Sequence, residues 1–266
     1  MHNMGMGYIS PKRLPQLPCK EKLETLVLCG MCFESTDNLH MYPNVHTLKL
    51  NGFWFEDDPT LPSAVARFEP LASLNNLRTF HCYTRCALEL DDPQSAQVQI
   101  FIRMIQNNSD LEDFYYSGCL APHLLDALTV VPLRKLTLRN ARLDDEGLAR
   151  LPIQWLDSLN LFNNALVSLA PLTASPVRVL NLSFNTQLGD AFAHVVCTMP
   201  NLKELSLMNC DLTDDQIEPL LALAKKLTFL NLANNRQLSA GMRSQLQETF
   251  GDALSFEWDD NLYTPF

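Results

Sequence analysis

The cysteines are the residues of this chain whose types and spacing most suggest chemistry. Cys29 and Cys32 form a C-x-x-C pair, and Cys82 and Cys86 form a C-x-x-x-C pair. Two thiolates at such spacings can bind one zinc ion. A second reading makes Cys29 a nucleophile beside His81, but the sequence supplies no oxyanion motif and no group to orient the histidine. We therefore expect structural thiols, with neither a metal nor another cofactor.

Pairs of adjacent aspartates recur along the chain and raise the possibility of calcium binding. None of them fits the spacing of an EF-hand loop. Most follow an apolar stretch at the start of a possible helix, where carboxylates stabilise free backbone N–H groups. The six histidines have no H-E-x-x-H spacing, and the nine glycines form no phosphate-binding loop. These patterns predict capping and solvation, and we expect the chain not to be an enzyme. The aspartate pairs are Asp57-Asp58, Asp91-Asp92, Asp144-Asp145, Asp214-Asp215 and Asp259-Asp260.

Composition narrows the class of protein and of partner. At 266 residues and 47% apolar content, the chain can bury a sizeable core. It has no secretory signal and no apolar stretch near the ~20 residues that span a bilayer, so we expect an intracellular, cytoplasmic protein with reduced cysteines. The net charge of −10 disfavours nucleic acids and anionic membranes. It favours a protein partner with a neutral or basic surface.

A sequence repeat determines where all of these residues lie, and we call each copy of it a line. Residues 202–212 read LKELSLMNCDL, and residues 227–238 read LTFLNLANNRQL. Within each line, L-x-L alternates with period two, which predicts a short strand with one apolar face. A single strand cannot bury that face alone, so neighbouring lines must stack in parallel. The second apolar position recurs at Leu26, Leu48, Phe80, Phe114, Leu136, Leu159, Leu180, Leu205, Leu230 and Phe256.

The pattern L-x-x-L-x-L-x-x-N/C-x-L resembles the leucine-rich repeat family. The lines with Cys119 and Cys210 resemble the ribonuclease-inhibitor-like subtype, and the line with Pro171 resembles the short SDS22-like or bacterial-like subtype. The resemblance implies an α/β solenoid, curved as a horseshoe. About ten parallel strands would form its concave face, and helices with 3₁₀ or extended returns its convex face. We expect a flank or cap over residues 1–22, and a single domain over residues 23–266 that ends in a capping strand.

The segments between lines predict how the chain returns. Helical spacing occurs in residues 62–74, 93–106, 214–226 and 239–251, with Asp214 and Ser239 as expected N-caps. The segment between Leu166 and Val177 is too short for a full helix and predicts an extended or 3₁₀ return. A buried asparagine in each turn is expected to bind free backbone groups. This applies to Asn164, Asn185, Asn235 and Asn261.

The outward residues of the strands carry the functional hypothesis. Aromatic, Met and Arg side chains are enriched at protein interfaces, and several occur there beside basic groups. We expect a non-catalytic module that binds a protein partner through its concave face. The alternative is that these residues are ordinary surface side chains with no binding role. Other open alternatives are a bacterial effector, an acidic inhibitor or immunity-type protein, and the substrate-recognition part of a larger ubiquitin-ligase assembly. The candidate partner-binding residues are Lys49, His81, Tyr83, Tyr115, Lys135, Arg139, Phe162, Met208 and Phe229.

Overall fold

The computed structural model describes residues 20–29, 39, 42–53, 69–84 and 96–257. The chain divides into two compact units, Met1–Leu133 and Arg134–Phe266. In each unit the strands follow one another in chain order and pair in parallel, with helices and 3₁₀ turns in the returns. This is the α/β repeat architecture that the repeated line predicts. The horseshoe curvature and the single domain over 23–266 stay predictions, and Asn261 lies outside the described residues.

Four strands form the sheet of unit 1. Their register places Leu26, Leu48, Phe80 and Phe114 side by side, which confirms the predicted frame of the first four lines. All four side chains are buried. The strands are β1 Thr25–Cys29, β2 Thr47–Phe53, β3 Thr79–Thr84 and β4 Asp113–Ser117.

An aromatic core joins this sheet to its return helix. The helix α1, Ala96–Asn107, coincides with most of the helix predicted over 93–106. Its Phe101 ring lies 5.8 Å from Phe80 and 6.3 Å from Tyr116, both edge to face. The other described returns of unit 1 are the helix α2, Pro122–Leu128, and 3₁₀ turns at Lys20–Lys22 and Glu69–Ser73. Of the helix predicted over 62–74, only residues 69–74 are described, and they contain the second of these turns.

The described part of unit 2 contains six strands, of which all but the first have only two or three residues. They are β5 Lys135–Arg139, β6 Ser158–Asn160, β7 Val179–Asn181, β8 Glu204–Ser206, β9 Phe229–Asn231 and β10 Leu254–Ser255. The predicted core leucines of β5 to β9 are all buried. The predicted frame of the last line is wrong, because Leu254, and not Phe256, pairs with Leu230. The confirmed leucines are Leu136, Leu138, Leu159, Leu161, Leu180, Leu182, Leu205, Leu207, Leu230 and Leu232.

The returns of unit 2 mix α-helices with 3₁₀ turns. Ser239 caps its helix as predicted, since its hydroxyl accepts the N–H of Met242 at 3.1 Å. The predicted cap at Asp214 is wrong by one residue, because Thr213 forms a capping box with Gln216. Pro219 lies in the 3₁₀ turn that follows this helix. The helices are α3 Asp145–Ala149, α4 Phe192–Thr198, α5 Asp214–Ile217 and α6 Ala240–Phe250. The 3₁₀ turns are Ile153–Trp155, Ala170–Leu172, Glu218–Leu223 and Gly251–Ala253, and the second confirms the short return after Leu166.

Asparagines in the turns of unit 2 hold successive repeats together. The amide of Asn235 donates to the carbonyls of Leu207 and Leu232 at 2.8 and 3.0 Å. Its oxygen accepts the N–H groups of Cys210 and Leu212, both at 3.1 Å. Asn185, two repeats earlier, has three of the corresponding bonds, and Asn164, three repeats earlier, has all four. The predicted role of these three residues is confirmed.

One turn position has left-handed backbone in each line from β5 to β9. It lies immediately before the residue at the N/C position of the line, which is Asn, Cys or Ala here, with φ between 52° and 65°. Asparagine tolerates this conformation better than other side chains that carry a Cβ. Four of the five residues are asparagines, and Phe184 is the exception. The position is occupied by Asn140, Asn163, Phe184, Asn209 and Asn234.

Candidate functional site

The open face of each sheet, opposite the core leucines, carries the candidate binding residues. In unit 1 the register places Lys49 beside His81, and His81 beside Tyr115. The Nε2 atom of His81 lies 3.1 Å from Oδ1 of Asp113, and its ring centroid lies 5.5 Å from that of Tyr115. Lys49, His81 and Tyr83 are half-buried. The carboxylate therefore contacts a histidine whose side chain is 12% exposed.

In unit 2 the first residue of each strand from β5 to β9 contributes an exposed or half-buried side chain to the open face. We call Lys135, Ser158, Val179, Glu204 and Phe229 the inner row. Strand pairing places these residues next to one another in that order. Lys135 and Glu204 are exposed, and the other three are half-buried. Charged, polar and apolar side chains therefore occur together along this row.

Four candidate residues that the sequence places on the accessible face are buried instead. Met208 is 0% exposed, Phe162 is 5% exposed, and Tyr115 and Arg139 are each 6% exposed. The expectation that they project into solvent is wrong. In unit 2 they form a covered cluster, because Phe162 and Met208 pack with Ala233. The guanidinium carbon of Arg139 lies 4.2 Å from the centre of the Phe162 ring, which allows a cation–π contact.

For Phe162 and Met208 the cause lies in where their strands end. Asn160, Asn181 and Asn231 each accept, through the side-chain oxygen, the backbone N–H two residues ahead. In the line of Phe162 this bond ends the extended strand after three residues. In the line of Met208 the strand also has three residues, and the Met208 N–H donates instead to the hydroxyl of Ser183 at 3.2 Å. Phe162 and Met208 therefore lie beyond their strands, just before the left-handed turn. There the Phe184 ring covers the cluster, 4.7 Å from the Phe162 ring.

Phe184 is the residue of this cluster that the sequence reasoning missed. The sequence contains a signal for it, because Phe184 occupies the position that is Asn in the other four lines from β5 to β9. A phenylalanine in left-handed backbone is strained by roughly 1–2 kcal/mol. Its packing against Phe162 is the compensating interaction that the structure provides.

The described cysteines have structural surroundings. Burial raises the pKa of Cys82 to about 12 and that of Cys210 to about 12, so both are thiols at neutral pH. The Sγ of Cys210 donates to the carbonyl of Leu182 at 3.3 Å. Within the described residues, no three His, Cys, Asp or Glu side chains group closely enough to hold a metal ion. The side chains of Cys29, Cys32 and Cys86 lie outside that part of the chain.

Two of the paired aspartates accept hydrogen bonds from backbone N–H groups of the next repeat. Asp145 accepts the N–H of Val167 and of Ser168, each at 3.0 Å. Asp214 accepts the N–H of Ser239 at 2.9 Å, and hydrogen bonds from Ser239 hold the pKa of Asp214 below its usual value. Their neighbour Asp144 caps α3 by accepting the N–H of Gly147 at 2.8 Å. These contacts agree with the predicted structural role of the acidic pairs.

Comparison with known proteins identifies the repeat in one part of the chain. Residues 198–220 match the family model described as Leucine Rich repeat. An internalin from Listeria monocytogenes is 19% identical with a TM-score of 0.41, over 90% of this chain and 88% of that one. Rad7 and Elc1 from yeast form a complex in which one chain is 19% identical, with a TM-score of 0.46. That match covers 81% of this chain and 65% of the yeast chain, less than two thirds of its length. No curated protein matches the sequence. None of the described helices has the length and apolar content needed to cross a membrane.

Proposed function

We propose that this chain, a leucine-rich repeat protein, is a non-catalytic module that binds a protein partner through the open face of its strands. The observation that carries the proposal is the inner row of unit 2. Five strands in register present charged and apolar side chains in one line, and aromatic groups within such a mixture are typical of protein interfaces.

The residues proposed to contact the partner follow from accessibility. In unit 2 they are Lys135, Val179, Glu204 and Phe229, because these side chains are exposed or half-buried. In unit 1 they are Lys49, His81 and Tyr83, for the same reason. The four buried candidates act indirectly in this proposal. They hold the backbone beneath the accessible residues and are Tyr115, Arg139, Phe162 and Met208.

The test is a triple variant of the inner row, Lys135→Ala, Val179→Ala and Phe229→Ala. Interface energy concentrates in few residues, so the variant should lose a bound protein that the wild type captures from cells of its native host. The side chains are exposed or half-buried, so the melting temperature should fall by only a few degrees, at about 2–4 °C per kcal/mol. Capture is measured by affinity purification with quantitative mass spectrometry.

A matched control changes three exposed residues of the returns, Gln154→Ala, Val167→Ala and Gln247→Ala. This variant should retain the same captured protein. If the return variant loses that protein and the inner-row variant keeps it, the open face is not the binding surface. If neither variant affects capture, the proposal for unit 2 is also wrong.

A further inference from the structure

The strands of unit 2 begin at a common rim, and this rim is basic. Backbone bonds align the residues that precede the strands: Asp157 N–H donates to Arg134, Arg178 to Asp157, and Lys203 to Arg178, each at 2.8 Å. We call the basic side chains at and just before the strand starts the basic rim. They are Arg134, Lys135, Arg178, Lys203, Lys225 and Lys226.

Few carboxylates oppose these six charges. From β5 to β9, the residues at and just before the strand starts include two carboxylates, Asp157 and Glu204. Asp157 is already bound, because the Nη2 of Arg134 lies 2.8 Å from its Oδ2. Arg178 and Lys203 are exposed. Asp252 precedes β10, so the basic rim ends at β9.

The opposite rim, where the strands end, has the reverse charge. The turns and helix starts that follow β5 and β8 carry most of its carboxylates, and several are fixed by hydrogen bonds to backbone N–H groups. Charge in unit 2 is therefore segregated along the strand direction. These carboxylates are Asp144, Asp145, Glu146, Asp211, Asp214 and Asp215.

We infer that the basic rim of unit 2 is a docking surface for an acidic segment of a protein partner. The inference rests on the proposed function and deepens it, because the rim shares Lys135 with the inner row and borders it at Val179 and Phe229. The net charge of −10 taken alone favours a neutral or basic partner. Screening limits electrostatic interactions to ~8 Å at physiological ionic strength, so local charge decides what lies against the rim.

A short acidic peptide fits this arrangement better than a nucleic acid. A peptide can place a few carboxylates against Arg178 and Lys203 and leave the rim within a few residues. A nucleic acid carries charge along its whole length, so its phosphates would also approach the acidic remainder of the chain.

The experiment uses the full chain and a fluorescein-labelled polyglutamate peptide. Binding is followed by fluorescence anisotropy at ionic strengths from about 0.01 M to about 0.15 M. The wild-type protein should bind the peptide, and its affinity should fall as the salt concentration rises. The double variant Arg178→Glu and Lys203→Glu should weaken binding by about tenfold or more, because like charges replace attractive ones.

The control is Arg142→Glu with Arg236→Glu, which gives the same total charge from two exposed residues of the turns. It should bind within about twofold of wild type. Circular dichroism verifies that both variants are folded. If the rim variant unfolds, Arg178→Gln and Lys203→Gln are measured singly, and each should still weaken binding.

Three results would overturn the inference. Wild type that does not bind polyglutamate lacks the site, and equal weakening by both double variants assigns binding to net charge alone. Tighter binding of single-stranded DNA, lost in the rim variant, assigns the rim to nucleic acid. A cellular partner lost by the inner-row variant but kept by the rim variant rejects this inference and leaves the proposed function standing. If wild type binds polyglutamate but the inner-row variant loses no cellular partner, the inference stands and the proposed function of the inner row is rejected.

Discussion

Asn235 gives the sharpest test of how the repeats are held together. Changing it to alanine removes the oxygen that accepts the N–H groups of Cys210 and Leu212, and the amide that donates to Leu207 and Leu232. All four backbone groups lie in buried residues. An unsatisfied buried group costs ~1–3 kcal/mol. Four groups at the low end of that range give a loss of roughly 4 kcal/mol in the free energy of unfolding.

Two measurements check this value. Urea unfolding followed by circular dichroism gives the free energy, and a scan should show a melting temperature lower by roughly 10 °C, at about 2–4 °C per kcal/mol. Hydrogen exchange should show that the amides of Cys210 and Leu212 lose protection. The control is Asn234→Ala, an exposed neighbour with φ of 58°, which should cost only ~1 kcal/mol through its left-handed backbone. Equal losses for the two variants, or amides that stay protected, would refute the role given to Asn235.

Two further predictions separate covered from accessible residues and test the stabilising role of Asp214. Met208→Ala should lower the free energy of unfolding by ~2–5 kcal/mol, because the Met208 side chain is fully buried. Phe229→Ala should lower it by about 1 kcal/mol, because the Phe229 side chain is half-buried. Equal losses in urea unfolding would contradict the assignment of Met208 as covered and Phe229 as accessible. The folded pKa of Asp214 lies below its unfolded value, so its stabilisation is complete above the unfolded pKa and is lost as pH falls through the folded pKa. The stability difference between wild type and Asp214→Ala should therefore narrow below about pH 4, and a difference that persists or grows there would show that the carboxylate is not the stabilising form.

Periodicity predicted the core well and the ends of the strands poorly. Leu205 and Leu207 are buried as their alternation requires. The same alternation, continued to Met208, predicts an accessible side chain, yet that side chain is covered. Alternation describes an extended strand, and it fails once the backbone turns. In three lines the turn is encoded by an asparagine such as Asn181, whose side chain accepts the N–H of Ser183.

The last line shows a second limit. Leu254 and Phe256 are two residues apart, so either can be the inward residue of a strand. Only pairing with Leu230 decides between them, and pairing depends on the length of the preceding return. The N-cap of α5 is a similar case, because Thr213 and Asp214 are both good caps. The side chain of Gln216 completes the box with Thr213. The accessible candidates Lys135 and Phe229 are the first residues of their strands, and there the alternation holds. It fails inside β4 and at the last residue of β5, where Tyr115 and Arg139 are buried.

The asparagine ladder means that the boundaries drawn on the sequence are not those at which the protein can be cut. Asn235 belongs to one line but saturates the backbone of the line before it, at Cys210 and Leu212. A shortened chain that stopped between Leu212 and Asn235 would contain the whole sequence of the earlier line. The N–H groups of Cys210 and Leu212 would nevertheless lack their hydrogen-bond acceptor. When a repeat is added, removed or exchanged, the junction should therefore be placed after the asparagine of the following line. Each transferred segment then includes the asparagine that binds its own backbone groups.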